Sequence, residues 1–109
     1  GLRSLAADEP DYTGSYGGGI RERDSAYHQG TVWSWLIGVF VMAHYRVYRD
    51  RAVALSYLEP LLHHHLSDAC LGTVAEIFDG DPPHAPRGAA AQAWGVAELL
   101  RTYRFLSGH

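Results

Sequence analysis

Apolar positions recur with a helical period in three stretches of the chain. From Val32 to Tyr48, one face carries Val32, Leu36, Val39, Phe40, Ala43 and Val47. A second face carries Trp33, Ile37, Val41, Tyr45 and Tyr48, and only Ser34, His44 and Arg46 interrupt. A helix apolar nearly all round is a buried helix, and Gly38 in its interior marks the close approach of a neighbour. From Arg51 to Ser67 the pattern is one-sided, a stripe of Val53, Ala54, Tyr57, Leu58, Leu61, Leu62 and Leu66. Asp50 stands where a carboxylate caps the free N–H groups of the first turn. Pro60 lacks a backbone N–H, so a kink or break is expected between Ser56 and Glu59. From Ala89 to Leu106, Ala93, Val96, Ala97, Leu100 and Tyr103 line one face and Ala90, Trp94 and Leu99 a second.

The stretch Cys70–Gly88, CLGTVAEIFDGDPPHAPRG, follows neither a helical nor a strand period. Its Pro82, Pro83 and Pro86 forbid continued helix. Loops beyond about 12–15 residues are uncommon in compact domains and are mostly functional or disordered. Leu71, Val74, Ile77 and Phe78 are anchors that a solvated linker lacks. Two readings stand: an ordered loop presenting a carboxylate, or a structural crossover. Residues 1–30 read as irregular, broken by Pro10, Gly14 and the run Gly17–Gly19. Leu2 and Leu5 are expected to end a short helical turn, and Tyr12 and Tyr16 to anchor the segment on a surface.

Three helices cannot surround one another, so two broad apolar faces are expected to stay uncovered, and such faces imply a partner. The alternation of buried, amphipathic and buried helices predicts an all-α chain with the second helix outside the other two. Residues 1–109 are expected to form one partial domain of a larger helical barrel, completed by the rest of the barrel or by self-association.

Composition narrows the partners. A chain of 109 residues permits one modest domain. The formal charge is −3 with no basic stripe, which argues against nucleic acid. The single cysteine excludes a disulfide framework within the chain and a thiolate metal cluster. It is compatible with a reducing compartment, and a cytoplasmic location is expected. No basic segment followed by an apolar run opens the chain. The apolar run Val32–Ala43 is short of the ~20 residues a bilayer demands, so no membrane partner is expected. The chain opens on Gly1 and not on methionine, so a fragment or a processed chain is expected.

Glu76, Asp79 and Asp81 are the loop's candidate acids and bases. Inverting glycoside hydrolysis needs two carboxyl groups ~6.5–9.5 Å apart, a distance that loop spacing does not define. Asp79 and Asp81 flank Gly80 and are expected to form turns. Arg87 either pairs with one of them or meets a substrate. Tyr27, His28, Gln29, Trp33 and Trp35 combine apolar ring faces with hydrogen-bonding tips, a chemistry that suits a sugar and equally suits core packing. His63, His64 and His65 are consecutive on a helix and point apart, whereas zinc sites use positions such as i and i+4. Neither a metal nor a cofactor is expected. Cys70 is expected to be a small buried residue.

The run YHQGTVWSWLIG, Tyr27–Gly38, resembles the YHQGTVWPWLIG signature of glycogen debranching enzymes of the bacterial and archaeal type. LGTVAEIFDGDPPHAPRGAAAQAWGVAELLR, Leu71–Arg101, resembles the last motif of the same family. Together they cover most of residues 20–106 in the family's order and spacing. Ser34 stands where the family usually has proline, and Gly95 where it usually has serine. The resemblance implies the C-terminal part of an (α/α)6 barrel of the six-hairpin glycosidase type. It implies hydrolysis of α-1,6-linked glucose at the branch points of glycogen or a branched α-glucan, with inversion. Glu76 is then the general base, and Tyr27, His28, Gln29, Trp33 and Trp35 lie near the glucose subsite. The family's general acid, an aspartate, belongs upstream of residue 1, so the isolated segment is expected to be inactive. The alternative is a non-catalytic helical module that binds a partner or a glycan.

Overall fold

A computed structural model describes residues 1–108. In chain order it forms β1 (Leu2–Arg3), α1 (Ile20–Ala26), β2 (Val32–Trp33), α2 (Leu36–Tyr48), α3 (Arg51–Ser56), α4 (Glu59–Ser67), β3 (Ile77–Phe78), β4 (Pro86–Arg87) and α5 (Ala93–Ser107). The three periodic stretches are helical over most of their length. Asp50 caps α3, its Oδ1 accepting from the Val53 N–H at 3.0 Å. The helix stops at Ser56 and restarts at Glu59, so the expected break is there. Pro60 falls in the first turn of α4, where a missing N–H leaves no bond unmade.

The all-α expectation is corrected by a small antiparallel sheet in the order β1-β2-β3-β4. Leu2 pairs with Trp33, Trp33 with Ile77, and Ile77 with Arg87. Val32 and Trp33, expected to open the first helix, are strand instead. The cause is non-local: Ser34 donates to the Glu76 carbonyl through both its N–H, at 3.2 Å, and its Oγ, at 3.0 Å. The third helix likewise opens at Ala93 and not at Ala89, because the Ala89 carbonyl accepts from the Glu76 N–H at 2.9 Å. Residues 1–30 are also less irregular than expected. Leu2 is in strand, not a helical turn, and α1 starts straight after the glycine run. Cys70 is exposed, against the expectation of burial.

One core joins the elements. It gathers Ile37 and Val41 of α2, Ala54 of α3, Leu61 of α4, and Leu99 and Leu106 of α5 around Leu58, Val74, Ala75 and Phe78. Helix α2 lies against α5, and α3 touches both. A Cβ on Gly38 would sit 3.0 Å from Thr102 Oγ1 and 3.0 Å from the Glu98 Cβ, so the predicted close neighbour is α5. Val39, Val47 and Tyr48 on α2 and Leu100, Tyr103 and Phe105 on α5 stay exposed. These are the uncovered apolar faces that the periodicity anticipates. The three histidines diverge: His64 is buried and its Nε2 accepts from the Ala75 N–H at 3.3 Å, while His63 is exposed. Among the described residues no helix is long and apolar enough to cross a membrane.

Gly30 holds the N-terminal segment close. It is buried with φ +138°, and a Cβ there would lie 2.5 Å from the Thr13 carbonyl oxygen and 2.7 Å from the Tyr12 ring. Backbone strain and overpacking act together at this position, so Gly30→Ala is expected to destabilise the chain by about 2 kcal/mol. Denaturant unfolding followed by tryptophan fluorescence checks this. An unfolding curve superimposable on the parent's contradicts it.

Candidate active site

The backbone around Glu76 is bonded on both sides. Ser34 holds its carbonyl from β2, and the segment before α5 holds its N–H through Ala89. One step away, the Val74 carbonyl accepts from the Gln92 N–H at 3.0 Å. Val74, Ala75, Ile77 and Phe78 are buried, while Glu76 is partly exposed. Period-2 alternation lapses here because both faces of the segment are covered, and from Val74 to Phe78 only Glu76 keeps partial exposure.

Two donors fix that side chain. Oε1 accepts from the Tyr27 hydroxyl, and Oε2 accepts from the Ala89 N–H at 2.9 Å. Burial, and then the anionic Glu76 it donates to, push the Tyr27 phenol up to about 12, so it stays a protonated donor across the neutral range. Gly88 makes room for the carboxylate. Its φ is +66°, and a Cβ there would lie 2.5 Å from Glu76 Oε2.

Aromatic rings pack beside this carboxylate. Tyr27 meets Trp33 edge-on at 4.5 Å and His28 at 4.9 Å. His28 and Trp33 are parallel, with centroids 5.3 Å apart and planes 4° apart. The Trp33 indole N–H donates to the Tyr27 carbonyl at 3.0 Å, which locks the pair. The structure thus brings together Glu76, Tyr27, His28 and Trp33. Trp35 stands apart from that ring cluster: it stacks on Trp94 at 4.0 Å with 15° between planes, where α2 and α5 begin. Gln29 is exposed, and its carbonyl accepts from the Thr13 N–H.

Asp79 and Asp81 serve the loop. Arg87 grips Asp79 with its Nη2 at 2.9 Å from Oδ2 and its Nε at 3.1 and 3.2 Å from Oδ2 and Oδ1. So Arg87 pairs with an aspartate. Burial pushes the Asp79 carboxyl up, but Arg87 and the Tyr16 N–H outweigh it and hold the group below the usual carboxylate range. An aspartate held ionised in this way is a poor proton donor at neutral pH. Asp81 accepts from the Tyr12 hydroxyl at 2.9 Å.

Four contributors escaped the sequence reading: the Ala89 N–H, Gly88, Tyr16 and Trp94. Gly88 offered only its place after Pro86-Arg87, which reads as a helix stop. Tyr16 lies in a stretch without period, and nothing local links it to residue 76. The two departures from the family signature also meet. A Cβ on Gly95 would fall 2.5 Å from Ser34 Oγ, so a serine at 95 would crowd the serine at 34. A proline at 34 would offer the Glu76 carbonyl no N–H and no hydroxyl.

Glu76 is thus one partly exposed carboxylate with two fixed donors beside aromatic faces, and glycoside hydrolysis uses carboxyl groups in pairs. A model of the amylo-alpha-1,6-glucosidase family matches residues 1–101, and the chain belongs to that family. No curated protein and no solved structure matches the chain.

Proposed function

We propose that this chain is the C-terminal segment of a glycogen debranching glycosidase of the bacterial and archaeal type, cytoplasmic, and that Glu76 is its general base. The reaction is hydrolysis of α-1,6-linked glucose at branch points of an α-glucan, with inversion. The observation that carries the reading is the Glu76 carboxylate, bonded by the Tyr27 hydroxyl and the Ala89 N–H beside the Tyr27–His28–Trp33 rings. A carboxylate has about four lone-pair sites, so two bonds orient it and leave it able to accept from water. The water oxygen attacks the anomeric carbon from the β face and its proton passes to Glu76. The C1–O6 bond breaks, and the leaving oxygen takes a proton from the general acid. Asp79, clamped by Arg87, is unsuited to that second role, and the family resemblance implies that the acid is an aspartate upstream of residue 1. His28 and Trp33 offer ring faces to the apolar face of glucose, with Gln29 at the rim. Trp35, backed by Trp94, provides a second aromatic surface. The exposed apolar faces of α2 and α5 are where the rest of the barrel docks.

Stereochemistry tests the reading. In the full-length protein, the first-formed glucose is expected to be the β-anomer by NMR. Glu76→Ala, supplied with α-glucosyl fluoride and azide, is expected to regain turnover. Azide takes the place of water, fluoride departs without acid help, and the product is β-glucosyl azide. An α-anomer, or an α-glucosyl azide, overturns the assignment.

A further inference from the structure

Asp79, Gly80 and Asp81 bond residues more than sixty positions away in sequence. The Tyr16 N–H donates to Asp79 Oδ1 at 2.8 Å, and the Tyr12 hydroxyl donates to Asp81 Oδ1 at 2.9 Å. The Asp81 N–H donates to the Gly14 carbonyl at 3.0 Å, and Arg3 Nε donates to the Gly80 carbonyl at 2.9 Å. Gly80 is buried so closely that a Cβ would lie 2.5 Å from the Tyr12 hydroxyl. Asp79 is only 7% exposed, and a buried carboxylate is costly to keep unless its partners are held too. Residues 12–16 are therefore fastened to the loop that carries Glu76.

This fastening sets the place of the Tyr16 ring. Its centroid lies 5.8 Å from that of Tyr27, tilted by 42°. His28 and Trp33 also pack against the same phenol. Tyr27 thus contacts three rings, and its hydroxyl meets Glu76. Without Tyr16 the phenol gains freedom about its side-chain torsions, and Glu76 loses one of its two anchors for part of the time.

We propose that Asp79, Gly80 and Asp81 form a positioning clasp, in which Asp79 with Arg87 holds Tyr16 against Tyr27 and so keeps the Tyr27 hydroxyl on the Glu76 carboxylate. The inference rests on the reading of Glu76 as general base. Asp79 is a positioning residue here and touches no reacting atom. A role confined to the loop's own turn would involve no residue of segment 12–16.

A double-mutant cycle in the full-length protein, assayed on a branched dextrin bearing single α-1,6-linked glucosyl stubs, tests it. Asp79→Asn is expected to lower kcat about 10-fold with KM unchanged, since only alignment of the base is lost. Tyr27→Phe is expected to lower kcat by a similar factor. The double variant is expected to be no slower than Tyr27→Phe alone, because both changes act on one bond. Tyr16→Ala leaves the Asp79–Arg87 pair in place and is expected to reproduce the kcat loss. It decides the matter if Asp79→Asn fails to fold. Losses that multiply in full, or a Tyr16→Ala variant with parental kcat, overturn the clasp. Near-normal turnover of Glu76→Gln defeats the base assignment itself, and the two failures are read from different variants.

Discussion

Glu76→Gln in the full-length protein is expected to lower kcat by a factor on the order of 10²–10⁴ while KM stays within about two-fold. The amide has the shape of the carboxylate but does not take a proton from water at neutral pH. The local bonds survive by rearrangement. A carboxylate accepts at both oxygens, whereas an amide accepts at one and donates at the other. The Ala89 N–H has no choice but to donate, so the amide oxygen faces Ala89. The amide nitrogen then faces the Tyr27 hydroxyl, which turns from donor to acceptor. Tyr27 is only partly buried, so its hydroxyl proton turns to solvent, and the melting temperature is expected to hold while turnover collapses. Steady-state kinetics with a parallel thermal scan check both halves. Near-normal turnover rules out Glu76 as the base, and a collapse of the fold removes the kinetic argument's footing.

Gly88→Ala is expected to lower kcat on the order of 10²-fold without replacing any residue that reacts. A Cβ at this position would lie 2.5 Å from Glu76 Oε2 and 2.9 Å from Ile77 Cγ1. Ile77 is fully buried and paired in the sheet on both sides, so it does not yield. The carboxylate is the softer neighbour. It moves, and the 2.9 Å bond from the Ala89 N–H breaks. The left-handed backbone adds roughly 1–2 kcal/mol of instability for alanine. Gly88→Asn separates the two effects, because asparagine tolerates this backbone yet carries the same Cβ. It is expected to restore stability and not turnover. Turnover of Gly88→Ala within about three-fold of the parent shows that the close contact does not govern the base.

The helices were legible because their causes are local. The apolar residues of α2 and α5 repeat every three or four positions. Asp50 sits three residues from the N–H it caps, and Pro60 breaks the helix within its own turn. Gly38 announced a close neighbour in the same way, though not which helix that would be. The strands left no such trace. Each is two residues long, too short for a period of two to register, and each exists only through its partners. Val32 and Trp33 continue the apolar pattern of α2 without a break, so they read as helix. The Glu76 carbonyl, which takes both donors of Ser34, decides otherwise.

The candidate site divides along the same line. Residue types and their order in the two long motifs were enough to single out Glu76 and the aromatic set, and they carried the family resemblance. They did not separate Trp33 from Trp35, two residues apart and chemically identical. The end of β2 sends Trp33 to Tyr27 and His28, while Trp35 opens α2 and stacks on Trp94. Nor did they show that Tyr27 turns its hydroxyl to Glu76, that Gly88 leaves the space the carboxylate fills, or that Asp79 reaches Tyr16. By itself the sequence determined the three long helical stretches, the cap at Asp50, the break before Glu59 and the inventory of reactive groups, because those depend on neighbours within a turn of chain. Which groups meet was decided only by the tertiary structure, because residues 16, 27, 76 and 89 are joined through hydrogen bonds and ring contacts that no local period encodes.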